Sequence, residues 1–204
     1  MVFTGTPGTG KTSVARILAR VLKGLGILSK GHFIETDRSG LVAGYVGQTA
    51  LRVREAVRRA LGGILFIDEA YSLTEAGDRA DYGGEAVETL LKLMEDHRDD
   101  LVVIVAGYTR EMEAFLSSNP GLRSRFNRYV AFPDYTSDEF YRILADMAKT
   151  AEYRLDPDAS AAAAHWLEHA QRGGHFANAR TVRNLFEHVL LAQSTRVSGL
   201  PSPT

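Results

Sequence analysis

The sequence of 204 residues predicts an α/β fold, a parallel sheet flanked by helices, with a small helical domain after it. Short apolar runs alternate with segments of helical periodicity as far as residue 132, which is typical of parallel strands joined by crossover helices. A glycine-rich loop, Gly-Thr-Pro-Gly-Thr-Gly-Lys-Thr, joins the first run to the first helical segment. After Pro133 only helical periodicity follows. We therefore expect a large domain over residues 1–134, a helical domain over 135–197 and a tail over 198–204.

Five short runs have the composition of β-strands. They cover residues 1–3, 32–35, 64–67, 101–106 and 129–132. The third run, residues 64–67, is wholly apolar, which indicates a parallel strand that is covered on both faces.

The predicted helices carry apolar residues at helical spacing. The first helix, after the glycine-rich loop, has the apolar residues Val14, Ile17, Leu18, Val21 and Leu22. Two more are expected at about 49–61 and 85–96. In the helical domain, Thr136 and Glu139 have the spacing of a capping box, and the apolar positions are Phe140, Ile143, Leu144, Met147, Val182, Leu185, Phe186, Val189 and Leu190.

The glycine-rich loop has the pattern of a P-loop, Gly-x-x-x-x-Gly-Lys-Thr. Its glycines let backbone N–H groups converge on phosphate oxygens at a helix N-terminus, Lys11 supplies a positive charge, and the Thr12 hydroxyl can bind Mg²⁺. The sequence therefore predicts a nucleotide site with ATP and Mg²⁺ as cofactors. Its expected residues are Gly5, Thr6, Pro7, Gly8, Thr9, Gly10, Lys11, Thr12 and Ser13.

Two acidic residues follow the third strand directly. Asp68 is expected to bind the Mg²⁺ shell with Thr12, and Glu69 to take a proton from the attacking water and to orient that water. Two adjacent acids can also simply end a strand, but beside a P-loop they favour ATP hydrolysis.

Composition excludes several other classes of protein. There are no cysteines, so disulfides, thiol nucleophiles and Cys-ligated metals are ruled out. Lysine and arginine (24) balance aspartate and glutamate (25), so no global positive field attracts nucleic acid. The one dense basic cluster is Arg52, Arg54, Arg58 and Arg59. No apolar stretch approaches the roughly 20 residues of a membrane helix, and we expect a cytoplasmic protein without membrane insertion.

Four segments together carry a family resemblance: Gly-Thr-Gly-Lys-Thr in the loop, Gly-Gly-Ile-Leu-Phe-Ile-Asp-Glu-Ala-Tyr from Gly62, Asn-Pro-Gly-Leu-Arg-Ser-Arg-Phe from Asn119, and Phe-Ala-Asn-Ala-Arg-Thr-Val-Arg-Asn from Phe176. With them the chain resembles the AAA+ ATPases over nearly its whole length. Within these it is most similar to the subgroup of red-type Rubisco activases, the stage V sporulation protein K group and the type VII secretion ATPases. The resemblance implies an AAA+ type P-loop NTPase domain with a helical lid.

The resemblance also implies roles for further residues. Thr109 stands at the sensor-1 position, where many relatives have Asn, and a simple turn residue is the competing interpretation. Arg125 matches the arginine finger, which acts on a neighbouring subunit's nucleotide, and Arg123 is the second candidate. Arg180 matches sensor 2, near the nucleotide phosphates; Ala177 stands where the family often has Gly.

A pore loop is implied by Tyr45, Val46 and Gly47, which match an aromatic-hydrophobic-glycine motif. An exposed aromatic on a loop favours a gripping role, whereas a Tyr folded onto its own domain is the alternative. Residues 75–84 fit either a second pore loop or an ordinary solvated loop.

These features predict an ATP-hydrolysing homo-oligomeric ring, a hexamer by family analogy, that remodels or threads a protein client. The alternatives are a nucleotide-dependent assembly or secretion scaffold with little turnover and, less favoured by the charge balance, a nucleic-acid motor. Only residues 1–3 precede the P-loop turn, while strands normally have five or six residues. Because the family's adenine-contacting segment lies upstream of that strand, we expect a missing N-terminal part and weakened nucleotide affinity.

Overall fold

The computed structural model describes residues 1–45, 47–74, 82–171 and 176–199. The chain divides into two compact units. The first unit contains Met1–Gly5 and Gly10–Phe132, and the second contains Thr6–Thr9 together with Pro133–Thr204.

A five-stranded parallel sheet forms the centre of the first unit. Its strands are β1 (Val2–Gly5), β2 (Phe33–Thr36), β3 (Ile64–Ile67), β4 (Val102–Gly107) and β5 (Tyr129–Phe132). Their order is β2-β3-β4-β1-β5, and Phe3 of β1 pairs with Ala106 on one side and Val130 on the other. The predicted parallel sheet is therefore confirmed.

Helices cover both faces of this sheet. They are α1 (Lys11–Gly24), α2 (Arg38–Leu41), α3 (Gln48–Ala60), α4 (Gly83–Asp96), α5 (Thr109–Ser117) and α6 (Pro120–Arg125), and a 3₁₀ turn covers Ala70–Leu73. Successive strand residues point to opposite faces. Leu65 and Ile67 therefore pack in one core, while Ile64 and Phe66 pack in the other.

The apolar spacing of α1 did not identify its buried face. Ala15 and Ala19 are buried against the sheet, whereas Val14, Ile17 and Val21 are between 42% and 58% exposed. Leu18 and Leu22 pack at the margin of this core. Small alanines allow the helix to approach the strands closely, and periodicity alone does not reveal that preference.

Several short elements were not predicted from the sequence. These are α2, α5, α6 and the 3₁₀ turn. The start of α6 has a readable signal, since Asn119 accepts a hydrogen bond from the Gly121 N–H and Pro120 occupies the first turn. The helix after residue 82 begins at Gly83 rather than at 85, and β4 ends at Gly107, one residue later than expected.

Three helices form the second unit: α7 (Ser137–Thr150), α8 (Pro157–Gln171) and α9 (Ala179–Ser198). The predicted capping box at the start of α7 is confirmed, since Thr136 and Glu139 bond reciprocally. Phe140, Leu144 and Val182 lie in the core of this unit. Val189, expected to be apolar and inward, is 45% exposed.

Candidate active site

The turn between β1 and α1 has the backbone geometry of an anion site. Gly8 has φ +76° and Gly10 φ +93°, conformations that residues with a Cβ rarely adopt. Gly10 is the N-cap of α1 and makes no side-chain capping bond, and the first turn of α1 contains no acidic residue. No acidic side chain of this first turn therefore neutralises the positive end of the helix dipole, which favours a negatively charged ligand.

Lys11 lies beside the same turn. Its Nζ donates a hydrogen bond to the Gly5 carbonyl oxygen over 2.8 Å, which keeps the ammonium at the base of the loop. Thr12 is half-buried and Ser13 is exposed in the first turn of α1. The charge expected from Lys11 and the hydroxyl expected from Thr12 thus both lie at the start of α1.

The two acids after β3 are held in different environments. The Asp68 N–H donates to the Thr36 carbonyl oxygen over 2.9 Å, which prolongs the pairing of β3 with β2. Glu69 is exposed and has φ 47° and ψ 44°, the left-handed region that costs a non-glycine residue about 1–3 kcal/mol. Its N–H donates to Asp68 Oδ1 over 3.1 Å. Strain at this position is typical of a functional residue rather than of a simple strand end.

Thr109 is the first residue of α5, just beyond β4, and is exposed. Because β3, β4 and β1 are neighbours in a parallel sheet, their carboxyl ends share one edge. The acids Asp68 and Glu69 after β3, Thr109 after β4, and Lys11 and Thr12 after β1 therefore all follow the same ends of neighbouring strands. Ligands of open α/β sheets bind at this edge.

The two arginine-finger candidates lie on α6. Arg125 is about one-third exposed, and its Nη2 lies 3.4 Å from Glu95 Oε2 of α4. Arg123 donates from Nη2 to Ser117 Oγ of α5 over 2.6 Å. Both guanidinium groups thus have protein partners within the subunit.

The pore-loop motif is described in part. The Tyr45 side chain is 74% exposed, and Gly47, with φ +76°, is the N-cap of α3. Val46 lies outside the described residues, as do residues 75–81 of the candidate second pore loop.

Two arginines of the basic cluster on α3 bond within the protein itself. Arg52 Nη1 donates to the carbonyl oxygens of Ser39 and Val42 over 3.0 and 2.8 Å. Arg58 pairs with Glu55 over 2.6 Å. This use of the arginines gives the nucleic-acid alternative no support beyond the pattern of charge.

The Thr6–Thr9 segment of the loop packs within the second unit. Asn178 Nδ2 donates to Thr6 Oγ1 over 2.9 Å and to the Pro7 carbonyl oxygen over 3.2 Å. Thr6 Oγ1 in turn donates to Asp134 Oδ1. The Thr6 hydroxyl and the Asn178 amide hold the pKa of Asp134 below its ordinary value. Arg180, the sensor-2 candidate, is exposed in the first turn of α9.

Sequence reasoning missed Asn178, Asp134 and Tyr135 as residues of the site. Tyr135 contributes its hydroxyl, which donates to the Thr9 carbonyl oxygen over 3.1 Å. Asn178 stood inside a motif segment, where it has φ 49° and ψ −131°, a conformation that favours glycine. The partners lie more than 120 residues apart in the chain, and no local pattern reveals them.

Within the described part of the chain no group of three or more His, Asp or Glu side chains is placed to hold a metal ion. Nor does any described helix combine the length and apolarity that a bilayer span requires.

Family comparisons match both parts of the chain. A family model described as "ATPase family associated with various cellular activities (AAA)" matches residues 1–134, and an AAA lid domain model matches residues 136–204.

Curated relatives are similar over nearly the whole chain. It is 46% identical over 201 residues to the chloroplastic ribulose bisphosphate carboxylase/oxygenase activase of Cyanidioschyzon merolae, covering 98% of this chain and 69% of that protein. It is 46% identical over 197 residues to protein CbbX of Cereibacter sphaeroides, covering 97% and 64%. The chain thus spans about two thirds of these relatives' length.

Among solved structures, the AAA domain of FIGL-1 in complex with ADP matches with a TM-score of 0.61 at 19% identity. The match covers 91% of this chain and 58% of that one. At this identity the likeness concerns the fold alone.

Proposed function

The chain belongs to the ATPase family associated with various cellular activities (AAA) and is an ATP hydrolase, and from this premise we propose that it works as a homo-oligomeric ring that remodels or threads a protein client. Its relatives confirm the predicted resemblance to the red-type Rubisco activase subgroup. Three points are our proposal: which residues carry out the reaction, that the chain forms a ring, and what the client is.

We assign the reaction to the carboxyl edge of the sheet. The N–H groups at the start of α1 and the Lys11 ammonium hold the β and γ phosphates of ATP. Glu69 orients a water in line with the γ phosphate and accepts its proton. Thr12 and Asp68 supply the oxygen ligands that suit Mg²⁺, which when bound neutralises charge on the phosphate oxygens.

The geometry of Glu69 carries the proposal of turnover. Its carboxylate is exposed and stands on strained, left-handed backbone at the end of β3. A scaffold that only binds nucleotide has no need for a strained acid at this point. This observation therefore favours hydrolysis over the scaffold alternative.

A finger that acts on a neighbouring subunit requires an oligomer. Arg125 is held within its own subunit by an ion pair with Glu95 at 3.4 Å, whose side chains are 34% and 54% exposed. Exposed pairs of this kind contribute little, about 0–1 kcal/mol. The Arg125 guanidinium can therefore exchange Glu95 for a phosphate of the next subunit at small cost.

The client is proposed to be a protein gripped by Tyr45. A Tyr that is 74% exposed is not explained by packing within the described residues, and in a ring such side chains would line a central channel. Because relatives are named as Rubisco activases, Rubisco is the first client to test.

ATP turnover per subunit, measured over a range of protein concentrations, tests the ring and the site together. We expect the specific rate to rise with concentration and to fall by about 100-fold or more in Glu69→Gln, since general-base catalysis contributes roughly 10²–10⁴-fold. A rate independent of concentration would contradict the trans-completed site, and an active Glu69→Gln would remove Glu69 from the mechanism.

Arg125→Ala and Arg123→Ala identify the finger. Arg98→Ala is the matched control, because Arg98 also pairs with Glu95, at 3.3 Å. We expect Arg125→Ala to lose turnover and Arg98→Ala to retain it. Loss in Arg123→Ala alone would transfer the role to Arg123.

Tyr45→Ala tests the grip on the client. We expect basal ATPase to persist and activation of inhibited Rubisco to be lost. Tyr153→Ala, which removes another exposed Tyr (49%), is the control and should keep both activities. Remodelling that survives Tyr45→Ala would refute the pore mechanism, and remodelling that survives Glu69→Gln would favour the scaffold.

A further inference from the structure

Asn178 is a buried polar residue with unusual backbone geometry. It is 1% exposed and has φ 49° and ψ −131°. It lies in a tight turn in which the Arg180 N–H donates to the Ala177 carbonyl oxygen over 3.0 Å. Glycine fits this conformation without strain, so the Asn side chain must compensate for the cost of holding it.

The Asn178 amide is fully used. Its Oδ1 accepts from the Tyr135 N–H over 3.1 Å. Its Nδ2 donates to Thr6 Oγ1, to the Pro7 carbonyl oxygen and to Asp134 Oδ1, the last over 2.8 Å. An aspartate at this position would keep the acceptor but lose both donors.

The partners of this amide belong to the phosphate loop and its immediate support. Two more bonds hold the same loop segment: the Ala179 N–H donates to the Gly8 carbonyl oxygen over 3.1 Å, and the Tyr135 hydroxyl donates to that of Thr9. A Cβ on Gly8 would overlap the Ala177 carbonyl oxygen. Residues 177–179 therefore fix the carbonyl groups of the loop, which sets the direction of the opposing peptide N–H groups.

We propose that Asn178 is a positioning residue for nucleotide, which orients the Thr6–Thr9 peptides so that their N–H groups face the phosphates of ATP or ADP. The inference rests on the proposed role of this loop as the phosphate site. Asn178 touches no reacting atom in this role; it acts through Thr6 and Pro7. α9 begins at Ala179, the residue after Asn178. The hydrogen bonds of the Asn178 side chain therefore also connect the start of α9 to the loop.

Nucleotide affinity of three variants tests the proposal, measured as the Kd of ATP and of ADP by titration. Asn178→Gly removes the amide but accepts the backbone conformation, so that the loss of hydrogen bonds is separated from backbone strain. We expect Kd to rise about tenfold or more, the effect of losing one well-made hydrogen bond. Asn178→Asp should weaken binding further, since its carboxylate faces Asp134.

The exchange variant Asn178→Asp with Asp134→Asn supplies a rescue. It places the amide at position 134 and the carboxylate at position 178. Thr6 Oγ1 can then donate to the carboxylate and accept from the amide, as it does in the unaltered chain with the two positions reversed. We expect it to bind nucleotide more tightly than Asn178→Asp alone. A merely structural role would not produce this recovery in Kd.

Asp156→Ala is the matched control for general destabilisation of the same unit. Asp156 Oδ1 accepts from the Ala159 N–H over 2.7 Å at the start of α8. This variant should lower the melting temperature and leave the Kd of ATP unchanged.

An unchanged Kd in Asn178→Gly, or no recovery in the exchange variant, would overturn the proposal. Lys11→Ala distinguishes it from the proposed function on which it rests. If the unaltered chain and Lys11→Ala bind nucleotide equally, the phosphate site itself is wrong and the positioning role fails with it. If Lys11→Ala loses nucleotide binding and Asn178→Gly keeps it, the phosphate site stands and only the role of Asn178 is wrong.

Discussion

At the scale of single residues, three positions combine left-handed backbone with the chemistry of the site. Gly8 has φ +76°, Glu69 φ 47° and Asn178 φ 49°. For Gly8 the conformation costs nothing, whereas for Glu69 and Asn178 it costs free energy that the surrounding hydrogen bonds must offset. Glu69 belongs to the first unit, and Gly8 and Asn178 belong to the second; in each unit the strained residue stands in or beside a segment that we propose to contact the nucleotide.

Gly8→Ala should be strongly destabilising. The added Cβ would overlap the Ala177 carbonyl oxygen and the left-handed φ would be strained, at a combined cost of at least about 2 kcal/mol. Denaturation by urea measures the change in the free energy of unfolding, and titration should show weaker ATP binding.

Gly24→Ala is the control for this prediction. Apart from its chain neighbours and its own helix backbone, no atom of the described residues lies within 4 Å of the position of its Cβ, and helical Ala is favoured over Gly by roughly 0.5–1 kcal/mol. It should therefore be neutral or stabilising. Equal stability of the two variants would contradict the account of the loop.

The predicted residues of the proposed site lie in local sequence motifs, whereas the residues that were missed are brought to it by contacts between distant segments. Lys11, Thr12, Asp68 and Glu69 stand in short motifs beside a strand, and local spacing suffices to find them. Asn178 acquires its role from contacts with Thr6 and Pro7, at sequence separations of 172 and 171. Such a role arises only when the chain has folded, so the sequence alone does not predict it.

At the scale of elements, α1 shows what periodicity leaves open. Val14, Ile17 and Val21 have the spacing of a buried stripe, yet Ala15 and Ala19 make the close contact with the sheet. Among the strands it covers, β3 is apolar on both faces, so hydrophobicity predicted that a helix would pack there without fixing its rotation. The size of the side chains decides the rotation.

The start of α7 gives a prediction of stability. Thr136→Ala removes the hydroxyl that accepts from the Glu139 N–H, and loss of an N-cap typically costs about 1 kcal/mol. Thr150→Ala is the control in the same helix, since Thr150 Oγ1 donates only to the Asp146 carbonyl oxygen at the helix end. Thermal unfolding should separate the two variants, and an equal fall in Tm would contradict a specific cap.

The same capping box gives a pH dependence. The Thr136 backbone N–H, followed by its hydroxyl, holds the pKa of Glu139 below 4.5. A carboxyl whose folded pKa is lowered contributes stability above its unfolded pKa and loses it as pH falls through the folded value. Glu139→Gln should therefore flatten the stability profile below about pH 4.5, as measured by denaturation in acid. An unchanged acid profile would exclude this contribution.

At the scale of the whole molecule, the alternation of strands and helices predicted the parallel sheet and the helical second part correctly. The strand order β2-β3-β4-β1-β5 follows from contacts between distant segments and was not predicted. Its effect is to place β1 between β4 and β5, so that the phosphate loop follows an interior strand that is paired on both sides. The short helices α5 and α6 were missed because segments of six to nine residues contain too little periodicity to stand out.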